Sequence, residues 1–142
     1  MKNYCAILVA VVALFSLCQK ALAHTLYQDP IKIQAYVTDP AAAIKKGMQQ
    51  YDWLVESEDA SGLIAKLVYK DYELRVAISY SATQIDVASL SEKRINCVVA
   101  KREKCEIEQA YIDRWRSNLR RGITKAIHDL AIADAYTKLA AQ

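Results

Sequence analysis

The chain has 142 residues, 54% hydrophobic and 25% charged, with 19 Lys and Arg against 16 Asp and Glu and a formal net charge of +3. That length and apolar content suffice for one domain with its own core. There are no repeats or low-complexity tracts, and so small a charge excess gives no argument for a nucleic-acid partner.

Residues 1–23 read as a secretory signal peptide. Lys2 supplies the positive start, Ala6 to Leu17 are dominated by apolar side chains, and Ala21-Leu22-Ala23 is a small-x-small cleavage site. The apolar run falls short of the roughly 20 residues that a bilayer core needs. Gln19 and Lys20 then end it, so no membrane span is expected after cleavage. Leu17, in place of a small residue before Cys18, argues against a lipoprotein. Cleavage after Ala23 removes Lys2 and Lys20, leaving a nearly neutral mature chain. It also removes Cys5 and Cys18. Cys97 and Cys105 then remain as a pair in an oxidising compartment, periplasmic or secreted.

Residues 24–38 form a leader and a short strand, in which Ile31, Ile33, Ala35 and Val37 alternate with Lys32, Gln34 and Tyr36. Residues 39–142 form a single α+β domain. Asp39 can cap a helix that Pro40 opens, and Ile44, Met48 and Tyr51 recur at helical spacing, so a helix is expected over 40–51. Trp53 to Ser57 reads as a strand and Asp59-Ala60-Ser61-Gly62 as a turn. Leu63, Ala65, Leu67 and Tyr69 share one face of the next strand. After a reversal near Lys70-Asp71, Leu74, Val76, Ile78 and Tyr80 share one face of another. A strand from Ile85 to Ala88 follows, then an irregular segment holding the two cysteines. From about Glu106 a long helix presents Tyr111, Ile112, Trp115, Leu119, Gly122, Ile123, Ala126, Leu130 and Ala133 as its core stripe. The expected architecture is an antiparallel β-meander of about four strands, with a fifth at the N-terminus, and a short and a long helix packed on one face.

Asp52-Trp53, the strand Gly62 to Leu67, Val76-Ala77-Ile78-Ser79-Tyr80, and Tyr111 to Trp115 with Asn118-Leu119 together resemble a group of small exported bacterial proteins and lipoproteins. Those proteins carry a tryptophan at the first strand, an Ile-x-Tyr strand and a Tyr-x-x-x-Trp final helix. The resemblance spans about residues 40–123 and implies an exported α+β domain; it implies no activity.

Motifs for catalysis are missing: the sequence holds no P-loop, dinucleotide fingerprint, HExxH or nucleophile elbow. His128 and Asp129 with Asp134 or His24 lack the close ligand pairs of a metal site, so no metal and no cofactor are expected. Cys97 and Cys105 lack the two-residue spacing of a redox motif and read as a structural disulfide worth roughly 2–3 kcal/mol. Arg114, Arg121, Lys125 and His128 project along one helix flank, and with Lys101 and Arg102 nearby they form a candidate surface for an anion or a partner. Arg116 and Arg120 fall on the other flank beside Asp113. Leu54, Ile64 and Val68 point away from the helices as a candidate apolar patch for an envelope protein or a homodimer through the open sheet face. The expectation is a periplasmic binding or interaction module, with enzyme chemistry the less favoured class. The competing reading is a small cell-envelope enzyme, or an inhibitor of one that presents the Cys97–Cys105 loop.

Overall fold

Asp39 and Pro40 start the first helix as expected. In the computed structural model, which describes residues 29–97 and 105–142, Asp39 Oδ1 accepts a hydrogen bond from Ala42 N at 2.9 Å. Residues 1–23, read above as a signal peptide, and the Lys101–Arg102 stretch lie outside the described residues. Helix α1 runs Pro40–Gln49 and buries Ala43, Ile44, Gly47 and Met48. Its exit is a left-handed closure: Asp52 has φ 58° and Trp53 N donates to Met48 O at 3.2 Å. That closure drops Trp53 into the core, where it is 2% exposed.

Five antiparallel strands form the sheet: β1 Ile31–Lys32, β2 Leu54–Asp59, β3 Gly62–Tyr69, β4 Tyr72–Tyr80 and β5 Gln84–Arg94, in the spatial order β1-β5-β4-β3-β2. Asp59 shapes the β2–β3 turn, its Oδ1 accepting from Ser61 N at 2.7 Å, Ser61 Oγ at 2.6 Å and Gly62 N at 3.1 Å. Lys70, at φ 55°, turns β3 into β4. Leu63, Ala65, Leu67, Leu74, Val76, Ile78 and Ile85 are buried beneath the helices.

β2 starts after Trp53 and takes in Glu58 and Asp59, and two other strands depart further from expectation. The first strand stops at Lys32; Ile33 N still bonds Thr83 O, and Ile33 and Val37 are buried outside the ladder. The last strand runs six residues past Ala88, to Arg94, which pairs with Tyr72. A register shift between Arg75 and Val76 places Ser89 opposite Val76 and Ser91 opposite Arg75. Leu90 is the extra residue, and a bulge of this kind breaks the period-two pattern by which a strand is recognised.

Helix α2 spans Gln109–Ala140, 32 residues or about 48 Å. It buries Ile112, Trp115, Leu119, Gly122, Ile123, Ala126 and Ile127. Ile127 joins the expected stripe, whereas Tyr111 and Ala133 are exposed and Leu130 is half-buried. Arg116 and Arg120 are structural: Arg116 donates to Ser89 Oγ and Glu92 Oε1 of β5, and Arg120 to Asp29 O. Among the described residues no helix is long and apolar enough to cross a membrane.

Candidate functional site

Cys97 and Cys105 are joined in a disulfide, with their Cα atoms 5.5 Å apart. The staple lies beside the β3–β4 hairpin. Ile95 N donates to Asp71 O, and Arg94 Nε donates to Asp71 Oδ2 at 2.6 Å, which holds the Asp71 carboxyl below its ordinary range. Asn96, at φ 62°, turns the chain from there into Cys97.

Four rings meet at this end of the sheet. Tyr69 closes β3, Tyr72 opens β4, and Tyr111 and Trp115 occupy the first turns of α2. The Trp115 centroid lies 6.0 Å from Tyr69, 5.5 Å from Tyr72 and 5.8 Å from Tyr111, and Tyr72 stacks on Tyr111 at 6.4 Å. These spacings are those of favourable aromatic pairs. Cations lie over the outer rings: Lys70 at 5.3 Å from Tyr69, Arg94 at 6.0 Å from Tyr72 and Arg114 at 5.0 Å from Tyr111. Tyr69 and Tyr111, expected in the core, are 49% and 38% exposed. Both sit at element ends, where each ring touches one ring of the opposing layer and is otherwise open to solvent. Sequence reasoning missed Lys70 and Arg94 as members of this group; Lys70 was signalled by its place next to Tyr69, whereas Arg94 meets Tyr72 only through the β4–β5 pairing.

The basic flank of α2 does not converge on one point. Arg114 belongs to the ring cluster. Arg121 and His128 are exposed, and Lys125 Nζ is 3.3 Å from Asp129, which also takes Lys46 at 3.4 Å. Arg114 and His128 are about 21 Å apart along the axis at 1.5 Å per residue, too far to share a small anion.

The open sheet face is likewise divided. Leu54 and Val68 are 64% and 45% exposed and Ile64 is half-buried, but Lys66 lies between Ile64 and Val68 and pairs across the sheet with Leu54. Lys66 belongs to an ion network centred on Glu73, which is 7% exposed. Lys93 Nζ lies 2.9 Å, Lys66 Nζ 3.2 Å and Arg75 Nη2 3.7 Å from its carboxylate, and Arg75 also binds Glu56 at 2.8 Å. The Lys93 hydrogen bond, aided by Lys66, holds the Glu73 carboxyl below its ordinary range against the opposing effect of burial. The three apolar residues are therefore separate spots around a charged centre.

A hollow of about 230 Å³ opens at the β2–β3 end, lined by residues including Ser57, Asp59, Ser61, Ile64 and Ser79. It falls below the roughly 300 Å³ at which small-molecule sites begin. No histidine or cysteine lines it, and Asp59 is held ionised by Ser61 and Gly62. Among the described residues no group of three His, Cys, Asp or Glu is placed to hold a metal ion. Comparison with protein-family models, curated proteins and solved structures finds no match to this chain.

Proposed function

We propose that this chain is an exported binding module whose recognition surface is the ring-and-cation end of the sheet, braced by the Cys97–Cys105 disulfide. The observation that carries the reading is the pairing of exposed Tyr69 and Tyr111 with Lys70 and Arg114, neither of which holds a carboxylate among the described residues. Tyrosine faces offer flat apolar contact, and the cations beside them favour a negative charge on the same ligand. An acidic saccharide has both features, its sugar C–H face matching the rings and its carboxylate the cations. The signal peptide supports a periplasmic or secreted setting, in which such ligands are accessible. An enzyme is the less supported reading, because the one hydroxyl–carboxylate pair in the hollow, Ser61 with Asp59, is spent on shaping the β2–β3 turn and no histidine or cysteine lines the hollow.

Affinity electrophoresis through gels containing polygalacturonate, with dextran as the neutral control, tests this. The mature chain is expected to be retarded by polygalacturonate alone, and Tyr69→Ala and Arg114→Gln are each expected to relieve the retardation. Equal mobility in both gels, or variants that migrate like the parent, would sink the reading.

A further inference from the structure

We propose that the ring-and-cation end of the sheet is two half-sites, and that it takes an oligomer of acidic sugars bent across both in preference to a single sugar. This rests on the acidic-saccharide reading above and adds to it the length and shape of the ligand.

The two exposed rings are not one platform. Tyr69 and Tyr111 make no ring contact with each other; each contacts Trp115, at 6.0 Å and 5.8 Å, so their centres stand at most about 12 Å apart. Tyr69 is tilted 56° from the Trp115 plane and Tyr111 only 26°, so the two tyrosine planes differ by at least 30°. A flat, rigid ligand lying on one ring therefore meets the other at an angle and loses its face contact. Two units joined by a bond about which the chain turns can lie flat on both. Trp115, 9% exposed and touching both rings, fixes how far apart the half-sites stand.

Charge is divided in the same way. Lys70, in the left-handed turn after β3, lies 5.3 Å from the Tyr69 ring. Arg114, three residues beyond Tyr111 on the same face of α2, lies 5.0 Å from that ring. The third cation differs: Arg94, over Tyr72, is matched by Asp71 Oδ2 at 2.6 Å. Two cations on two inclined rings call for a ligand with two acid groups, each beside its own apolar face.

A single acidic sugar fills one half-site and leaves the other ring and cation in water. Each half-site alone is weak, because one exposed ring face and one exposed charge contribute little. Joining two such units makes the second contact intramolecular, which raises affinity without any new kind of contact.

Calorimetric titration of the mature chain with galacturonic acid and with its dimer, trimer and pentamer tests the proposal. Affinity is expected to rise at least about tenfold between the monomer and the trimer and to change little beyond it. Lys70→Asn, which suits the left-handed turn, and Arg114→Gln should each bring the trimer close to the affinity of the monomer. Both positions are exposed, so the melting temperature should stay unchanged. A trimer no tighter than the monomer, with polygalacturonate still bound, overturns the two half-sites and leaves the acidic-saccharide reading standing. So does a trimer weakened by one of the two variants and not by the other, because the ligand then occupies one half-site. Absence of binding by every oligomer and by the polymer overturns both.

Discussion

Gly47 of α1 and Gly122 of α2 are in backbone contact. A Cβ built on Gly122 would run into the Gly47 carbonyl oxygen and stand 3.0 Å from its carbon, and one built on Gly47 would stand 2.6 Å from the Gly122 carbonyl carbon. The two helices therefore cross at a pair of hydrogens, and this sets how closely both can lie over the sheet.

Alanine at either position raises intrinsic helix propensity by about 1 kcal/mol, but the clash is with backbone, which cannot rotate away. Gly122→Ala and Gly47→Ala are each expected to lower stability by about 2 kcal/mol or more net, visible as a drop of roughly 8 °C in melting temperature. A melting temperature unchanged or raised in either variant would show that the helices do not cross this closely.

Glu73 links stability to pH. Its folded carboxyl gives up its charge at lower pH than the unfolded one, so the stabilisation is complete above its ordinary value of 4.5 and disappears as pH falls through the folded value. Glu73→Gln is expected to cost about 1 kcal/mol at neutral pH, discounted for the partial exposure of its lysine partners. The variant should also unfold less steeply in acid. Asp59, Asp71 and Asp129 are shifted in the same direction, so part of the acid sensitivity should persist. Urea midpoints measured across the acid range provide the check.

Replacing Cys97 and Cys105 together by serine should cost about 2–3 kcal/mol, the loop-closure entropy of so short a loop. The domain should still fold, because the core cluster holds neither cysteine. Denaturation of the variant beside the oxidised parent measures the difference, and thiol counting on the parent should find neither Cys97 nor Cys105 free.

Trp53 is 2% exposed, and its indole N–H has no hydrogen-bond partner among the described residues. Trp53→Phe removes that unsatisfied donor along with part of the ring, so the two effects oppose each other. The net change is expected to lie within about 1 kcal/mol, whereas Trp53→Ala should cost about 3–5 kcal/mol through the cavity it leaves. Equal losses for the two variants would contradict this account.

The regular elements were legible because local chemistry specifies them. Asp39-Pro40 marks a helix start, Asp59 to Gly62 marks a turn, and the alternation from Leu63 to Ile78 marks two strands with one buried face. Errors arose where the local pattern breaks. The Leu90 bulge hid half of β5, and the buried stripe of α2 ends at Ile127, so that Ala133 only looked like a continuation of the core. The candidate site was less legible. Its rings come from β3, β4 and α2, and periodicity assigned Tyr69 and Tyr111 to the interior when each, at the end of its element, is only partly covered by the opposing layer.

The sequence by itself determined the α+β class, the antiparallel meander, the short helix that precedes it and the long one that follows it in the chain, and the pairing of the last two cysteines, because each follows from periodicity, capping or elimination along the chain. Tertiary structure alone decided three further matters: that Gly47 and Gly122 meet, that Lys66, Arg75 and Lys93 gather on Glu73 and break up the apolar face, and that Tyr69, Tyr72, Tyr111 and Trp115 share one end. Each depends on the distance between elements far apart in the chain. Burial and charge pairing act through that distance, which no local pattern encodes.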